Sequence, residues 1–504
     1  MTMPSPTLAP IERLLPASTS QPVWRRAGIR ALEAALQARC PHPLMDLAGQ
    51  ATARLAMAIA PHARRIWILA GPGNNGGDGL EAARILHQYG VSVRLYWLGT
   101  PQALPVDAQR AHQRVRQCGV EIHSGLPSLD DQPDAGDLCI DALLGIGASR
   151  PPQGILLQAV RWLNASRAAV LSIDIPTGLD CDSGQMSGAP DSCVRASHTL
   201  TFLGVKPGLL MGSGRDVCGV LWLASLGAGA ALHGRCPPDA WIHPPPPARM
   251  VLHASHKGSH GDVLVVGGQS AGPRHPGMSG AAILAAQSAL HAGAGRVWLC
   301  LLGQDKPCVP ADLMHCDLDS LPTSALTVVA GCGGGQAIAT PLGRLLEHST
   351  QLVMDADALN HLARDSWLES LLIQRQRHKQ ATILTPHPLE AARLLKCSTQ
   401  DVQADRLGAA GTLAERFGCV VVLKGSGSVI AAPGRPPHIN TTGNGRLAIA
   451  GTGDVLAGLT GALLSRLLDP WQAACEAVYR HGLLADRWPA GQALTASRLS
   501  QALT

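Results

Sequence analysis

The sequence predicts an α/β protein of two domains, each built on a parallel sheet. Three observations lead there. Short apolar runs bounded by Gly and Pro alternate with helical patterns through both halves of the 504 residues. Phe (2), Tyr (3) and Trp (10) are scarce, so Leu, Val, Ile and Ala must build the core. One stretch, Cys236–Arg249 (CPPDAWIHPPPPAR), carries six prolines in fourteen residues and divides the chain into halves of about 235 and 255 residues. Proline fixes φ and removes backbone donors, so this stretch is expected to be neither helix nor central strand. Residues 1–235 and 250–504 are the expected domains, with 236–249 as linker.

In the first half, Arg65–Ala70 (RIWILA) reads as a strand, and Leu80–Gln88 as the helix after it. Val91–Leu98, Asp137–Leu143 and Ala168–Ile173 are the next strands. In the second half the strands are Asp262–Val266, Arg296–Cys300, Leu326–Ala330, Leu352–Asp355, Ala381–Thr385 and Val420–Lys424. In parallel sheets ligands sit beyond the carboxyl ends of the strands. Most of the polar motifs fall there.

Composition narrows the function. Hydrophobic residues make up 46% of the chain, which excludes extended disorder. The net charge of +5 is spread without any basic run, so nucleic acid is not an expected partner. The 14 cysteines form no Cys-x-x-Cys pair, so free thiols in a reducing cytoplasm are expected rather than disulfides or zinc. The N-terminal residues lack a signal-peptide pattern. The most apolar stretch, Val217–Leu232, is shorter than the ~20 residues that span a bilayer. A soluble cytoplasmic protein without a membrane partner follows.

Gly71–Gly79 (GPGNNGGDG) follows a strand and opens a helix. Its glycines let the backbone approach a ligand, and amides at a helix N-terminus attract phosphate. Asp141 in IDALLGIG and Asp174 in SIDIPTGLD stand at two further strand ends. Together with Lys206–Gly208 (KPG), these motifs resemble the NAD(P)H-hydrate epimerase domain over nearly the whole first half. The resemblance implies a Rossmann-like domain. It implies that Asn74, Asn75, Gly76, Gly77 and Asp78, and the segment Gly145, Ile146, Gly147, Ala148, Ser149 and Arg150, contact the hydrated dinucleotide. Asn75, Asp141 and Thr177 would hold a potassium ion, and Asp174 would meet the damaged nicotinamide ring. A carboxylate beside that ring can stabilise positive charge and move protons, which makes Asp174 the expected catalytic group with Lys206 as its partner. Ile146 replaces a common Thr, and Thr177 a frequent Ser.

In the second half, His256–Gly261 (HKGSHG) leads into a strand, and its Lys–Gly pair is expected near phosphate. Gly277–Gly295 reads as an Ala-rich helix closed by GAG, and Gly331–Gly335 (GCGGG) as a strand-end loop. Thr385–Glu390 (TPHPLE) fixes His387 between prolines. Lys424–Ser428 (KGSGS) ends a strand, and Asn440–Gly445 (NTTGNG) precedes Ala450–Gly458 (AGTGDVLAG). Gly451–Gly453 leave free amides at a positive helix end beside Asp454. That suits phosphoryl transfer, with Asp454 deprotonating a hydroxyl.

These motifs in this order resemble the ribokinase-like ADP- or ATP-dependent NAD(P)H-hydrate dehydratase across most of residues 250–470. The resemblance implies that Ala281, Gly333, His387 and Asp454 contact the hydrated cofactor. Lys424, Gly425, Ser426, Gly427, Ser428 and Gly453 would hold ADP or ATP with Mg²⁺. Cys332 stands where Pro is usual, Leu389 where Gly is usual, and Ile449 departs in the run before GTGD. Asp355 and Asp357 either position Mg²⁺ or cap a helix. The expected function is repair of hydrated NADH or NADPH by an epimerase fused to a dehydratase, self-associated as a homo-oligomer. The alternative is a kinase of the hydroxymethylpyrimidine or thiazole type with an added dinucleotide-binding module.

Overall fold

Parallel strands buried on both faces need apolar residues at every position, and the strand Ile66–Ala70 has them, all five residues being buried. Its alternation divides two layers of core. Ile66, Ile68 and Ala70 pack into one cluster, while Trp67 and Leu69 pack into the other. The computed structural model describes residues 10–40, 42–100, 104–128, 131–229, 234–247, 250, 252–272, 277–303, 307–466 and 469–503. The chain divides into two compact units, the first reaching Ala240 and the second running from Trp241 onward, with Ser18–Ser20 grouped in the second.

In the first unit one sheet runs in the order Ile11–Arg13, Val220–Ala224, His198–Phe202, Ala169–Ile173, Leu138–Ala142, Ile66–Ala70, Val93–Trp97, Ile122–Ser124. All neighbours are parallel except the antiparallel edge strand Ile11–Arg13. The strand order reverses between Ile66–Ala70 and Leu138–Ala142, which opens a crevice beyond their carboxyl ends. The helix there begins at Asn74, not at Leu80, and runs to Gln88. Its early glycines serve packing. A methyl group on Gly76 would sit 1.9 Å from the Gly71 carbonyl oxygen, and one on Gly79 would sit 2.4 Å from the Ala142 Cβ.

In the second unit the strands run Met314–His315, Arg296–Leu301, Asp262–Gly267, Thr327–Ala330, Gln351–Met354, Ala381–Leu384, Val420–Leu423, Val429–Ala432, Arg435–Ile439, Ala240–Ile242. The reversal lies between Asp262–Gly267 and Thr327–Ala330. The helices Ser279–His291 and Thr452–Ser465 pack so closely that a methyl on Gly458 would sit 1.9 Å from the Ala285 carbonyl oxygen.

Two expectations change. Ala240–Ile242, inside the Pro-dense stretch, is a strand paired with Arg435–Ile439. The prolines flank Asp239–His243 on both sides and leave its amides free, so His243 N–H donates to the Ile439 carbonyl at 3.0 Å. The HKGSHG segment lies at the amino end of its strand, where Gly295 N–H donates to the Gly261 carbonyl. Lys257 is therefore at the opposite end of the sheet from a carboxyl-end phosphate site. All 14 cysteines are free. Among the described residues no helix is long and apolar enough to cross a membrane.

Candidate active sites

The first site forms where the strand ends of the first unit meet. Asp174 follows the strand Ala169–Ile173 with φ of 64°, a left-handed conformation uncommon outside glycine. That turn sends its carboxylate to Lys206, whose Nζ lies 2.5 Å from Asp174 Oδ1. The same ammonium donates to Thr201 Oγ1 and to the Phe202 carbonyl, both at 2.8 Å. Lys206 is fully buried. Ile146 N–H approaches the other Asp174 oxygen at 3.4 Å, so the Gly145–Arg150 segment meets the pair through its backbone.

Asp141 is also fully buried. Its carboxylate accepts from Thr177 Oγ1 at 2.7 Å, Thr177 N–H at 2.9 Å, Ser172 Oγ at 2.8 Å and Leu143 N–H at 3.2 Å. Burial raises its pKa against those four donors, and no cation pairs with it among the described residues. Asn75 is buried with its Nδ2 unpartnered, and it packs against Gly145, where a methyl would lie 3.2 Å from Asn75 Oδ1. Asp78 is pushed well up by burial, then by Asp174 and Glu33. Asn74, Gly147, Ser149 and Arg150 are exposed at the rim, and Ala148 closes a turn onto Gly145. Sequence reasoning missed Ser172, Thr201 and Glu33. Glu33 lies on the helix Arg26–Gln37, in a stretch without any motif. Burial raises its pKa, followed by Asp174, against Arg30 and Lys206.

The second site gathers at the amino end of the helix Thr452–Ser465. Gly451 takes φ of 91° to turn the chain into that helix, a conformation that suits glycine. Asp454, in the first turn, is pushed up to about 7 by burial and then by Asp355. Lys424 Nζ lies 2.6 Å from Asp355 Oδ1 and 3.5 Å from where a Gly453 Cβ would be. Burial pulls the Lys424 ammonium down, but Asp355 and Glu390 outweigh it and the net shift is upward. Cys332 hydrogen-bonds Asp454, and ligand atoms of Cys332, Asp355 and Asp454 lie within 4.8 Å of one another.

The neighbouring residues hold this centre. Asp355 pairs with Lys424, whereas Asp357 Oδ2 accepts the Gly335 N–H at 2.8 Å and pins the Gly331–Gly335 loop. Ala356 between them has φ of 50°, strain that separates the two carboxylates. Gly333 packs on Ala281, with only 2.9 Å left for a Cβ. His387 caps the helix Pro388–Leu395: its Nδ1 accepts Leu389 N–H at 3.1 Å, and its Nε2 lies 3.1 Å from Glu390 Oε1. The Lys424–Ser428 loop is tied from within by Arg406, which sequence reasoning also missed. Its Nη2 donates to the carbonyls of Leu423, Lys424 and Gly427 at 3.2–3.3 Å.

Comparisons with known proteins give the following. Residues 41–208 match the family described as YjeF-related protein N-terminus, and residues 263–504 match the family described as NAD(P)H-hydrate dehydratase. A bifunctional NAD(P)H-hydrate repair enzyme Nnr from Escherichia coli (strain K12) is 36% identical, over 94% of this chain and 90% of its own. Its namesake from Coxiella burnetii is 34% identical, over 88% and 90%. A bifunctional NAD(P)H-hydrate repair enzyme from Leishmania braziliensis is 34% identical, over 92% and 89%. The solved ADP/ATP-dependent NAD(P)H-hydrate dehydratase from Bacillus subtilis, co-crystallised with ATP/Mg²⁺, is 27% identical. It covers 51% of this chain and 92% of its own, with a TM-score of 0.41.

Proposed function

The chain belongs to the family of bifunctional NAD(P)H-hydrate repair enzymes, and on that premise we propose how its two sites divide the work. The first unit epimerises hydrated NADH or NADPH from (R) to (S). The second dehydrates the (S) epimer at the expense of ADP or ATP. The observation that carries the dehydratase half is the position of Asp454, in the first turn of a glycine-rich helix and close to Cys332 and to Asp355, which pairs with Lys424, where burial raises its carboxyl to about 7. A base whose pKa lies near working pH is best matched to accept a hydroxyl proton.

In the second unit Asp454 takes the proton from the hydroxyl on ring carbon 6. The freed oxygen attacks the terminal phosphoryl group of the nucleotide, which Gly453 and Lys424–Ser428 hold, and the P–O bond to the rest of the nucleotide breaks, releasing ADP from ATP or AMP from ADP. Lys424 and the helix amides face the negative charge that develops. The C6–O bond then breaks with phosphate as leaving group, and loss of a proton from the adjacent carbon restores the ring double bond. Ala281, Gly333 and His387 line the ring's side of this pocket. Asp355, buried beside Lys424, would help to hold Mg²⁺ brought by the nucleotide, and the ion would supply charge neutralisation at the phosphates.

In the first unit Asp174 stabilises the cation formed as the hydroxyl leaves, and Lys206 fixes the orientation of Asp174. Residues Asn74–Asp78 and Gly145–Arg150 cradle the dinucleotide. Asn75, Asp141 and Thr177 would hold a potassium ion. A fully buried carboxylate without a cationic partner and a hydroxyl beside it fit a monovalent cation. A cytoplasmic location, where NADH and NADPH are in use, and self-association are both part of this proposal. A small-molecule kinase is disfavoured, because the match over residues 41–208 has no place in it.

The test is to incubate the purified chain with hydrated NADH and either nucleotide while following nicotinamide absorbance. Recovery of absorbance that requires a nucleotide and consumes both epimers is expected. No recovery with either nucleotide, alongside phosphorylation of a pyrimidine or thiazole alcohol, would overturn the proposal.

A further inference from the structure

Away from both sites, three metal-ligating side chains of the second unit converge. They are His243 just after the strand Ala240–Ile242, His438 in the strand Arg435–Ile439, and Cys475 in the helix Pro470–Asp486. One ligand atom of each lies within 4.8 Å of the other two. The pairing of Ile242 with Ile439 and the bond from His243 N–H to the Ile439 carbonyl hold the two histidines side by side. Their Nδ1 atoms are 3.5 Å apart. Zinc–nitrogen bonds of about 2.0–2.1 Å at a tetrahedral angle put two nitrogens about 3.3–3.4 Å apart, so the spacing needs little adjustment.

The local chemistry points the same way. Tyr479 lies edge-on to His243, and Trp471 edge-on to His438. None of the three converging side chains is a carboxylate, so Mg²⁺, Ca²⁺ and K⁺ are unsuited, whereas a thiolate with two imidazoles suits a borderline-soft ion.

We propose that His243, His438 and Cys475 form a binding site for Zn²⁺, with solvent as the fourth ligand. On binding, the Cys475 sulfur loses its proton to solvent and bonds the ion, while each imidazole contributes a lone pair. The ion ties the strand that opens the unit to a helix near its end. The same seam carries the Asn440–Gly445 loop, where Asn440 Nδ2 donates to the Val478 carbonyl and Thr442 Oγ1 to the Tyr479 carbonyl. Zinc therefore stiffens the approach to Gly451–Asp454 without touching the reacting groups.

The experiment titrates the metal-free full chain with Zn²⁺ and with Co²⁺, whose thiolate charge-transfer band reports a sulfur ligand. One equivalent of Zn²⁺ bound at micromolar concentration or tighter is expected, together with a rise in Tm. Cys475→Ser and His438→Gln should each weaken binding by ~10²-fold or more, since even outer-shell partners contribute 10–100-fold. Cys332→Ala should retain it, which separates this site from the Cys332–Asp355–Asp454 cluster. Absence of stoichiometric binding by the parent chain overturns the proposal. So does binding lost in Cys332→Ala and kept in Cys475→Ser. If Cys475→Ser fails to fold, X-ray absorption of the zinc-loaded parent decides. One sulfur with two imidazoles supports the site, and one sulfur with carboxylate oxygens overturns it.

Discussion

Asp454 shows at the scale of one residue how a site costs stability. Its pKa of about 7 lies above the ordinary carboxyl value of 3.8 because of burial and Asp355. The folded state therefore holds more protons than the unfolded state between those two values, and stability falls as pH rises through that window. The ionised form is the base, so dehydratase turnover should fall as pH drops below about 7. Asp454→Asn removes both effects. It should lower turnover by ~10²-fold or more, and at pH 8 it should melt above the parent, by an amount that shrinks toward pH 4. Melting curves at the two pH values with a turnover assay check this. A variant that keeps its rate, or that melts lower at pH 8, contradicts the role. The sequence marked Asp454, Asp174 and Asp141 because each follows a strand or opens a helix beside glycines. It offered Lys206 as the partner of Asp174 without its setting, since nothing in KPG tells that the ammonium is buried and donates to Thr201 and the Phe202 carbonyl. Glu33 had no local signal at all.

At the scale of elements, the strands expected from apolar runs are present, with ends within a residue or two of expectation, but the buried strands His198–Phe202 (HTLTF), broken by two threonines, and Val429–Ala432 were not anticipated. Nor was Arg435–Ile439 (RPPHI), because two of its five residues are prolines and its neighbours, not its composition, make it a strand. The helix start at Asn74 was missed because Gly76, Gly77 and Gly79 read as a loop. They are there so that the helix can pack against Met45, Ala142 and the Gly71 carbonyl. The Lys424–Ser428 loop depends on Arg406, 18 residues before its first glycine-flanking lysine. Arg406 is buried and held down to about 10 by that burial, and it serves three loop carbonyls at once. An ammonium cannot span that fork. Arg406→Lys should therefore raise the nucleotide KM by ~10-fold, on the scale of an outer-shell partner, with kcat and epimerase rate nearly unchanged. A kcat loss without a KM change would show that Arg406 acts elsewhere.

At the scale of the molecule, each unit has its own sheet, its own reversal of strand order and its own set of strand-end carboxylates. That repetition was the most legible feature of the sequence, since two Gly-rich motif series lie on either side of a Pro-dense stretch. The division itself falls within that stretch rather than around it, at Ala240 and Trp241, because the residues between its prolines keep their donors. Two independent sites make physical sense for this substrate: a dehydratase that takes one epimer stalls on a mixture unless the other is converted. The central claim is that the sites act separately. Epimer-resolved consumption of hydrated NADH by the parent, Asp174→Asn and Asp454→Asn chains, with nucleotide present, tests it most directly. With separate sites, Asp174→Asn consumes the (S) epimer at the parental rate and leaves the (R) epimer to spontaneous conversion. Asp454→Asn consumes neither but still equilibrates the two. Equal slowing of both epimers by Asp174→Asn would contradict that separation.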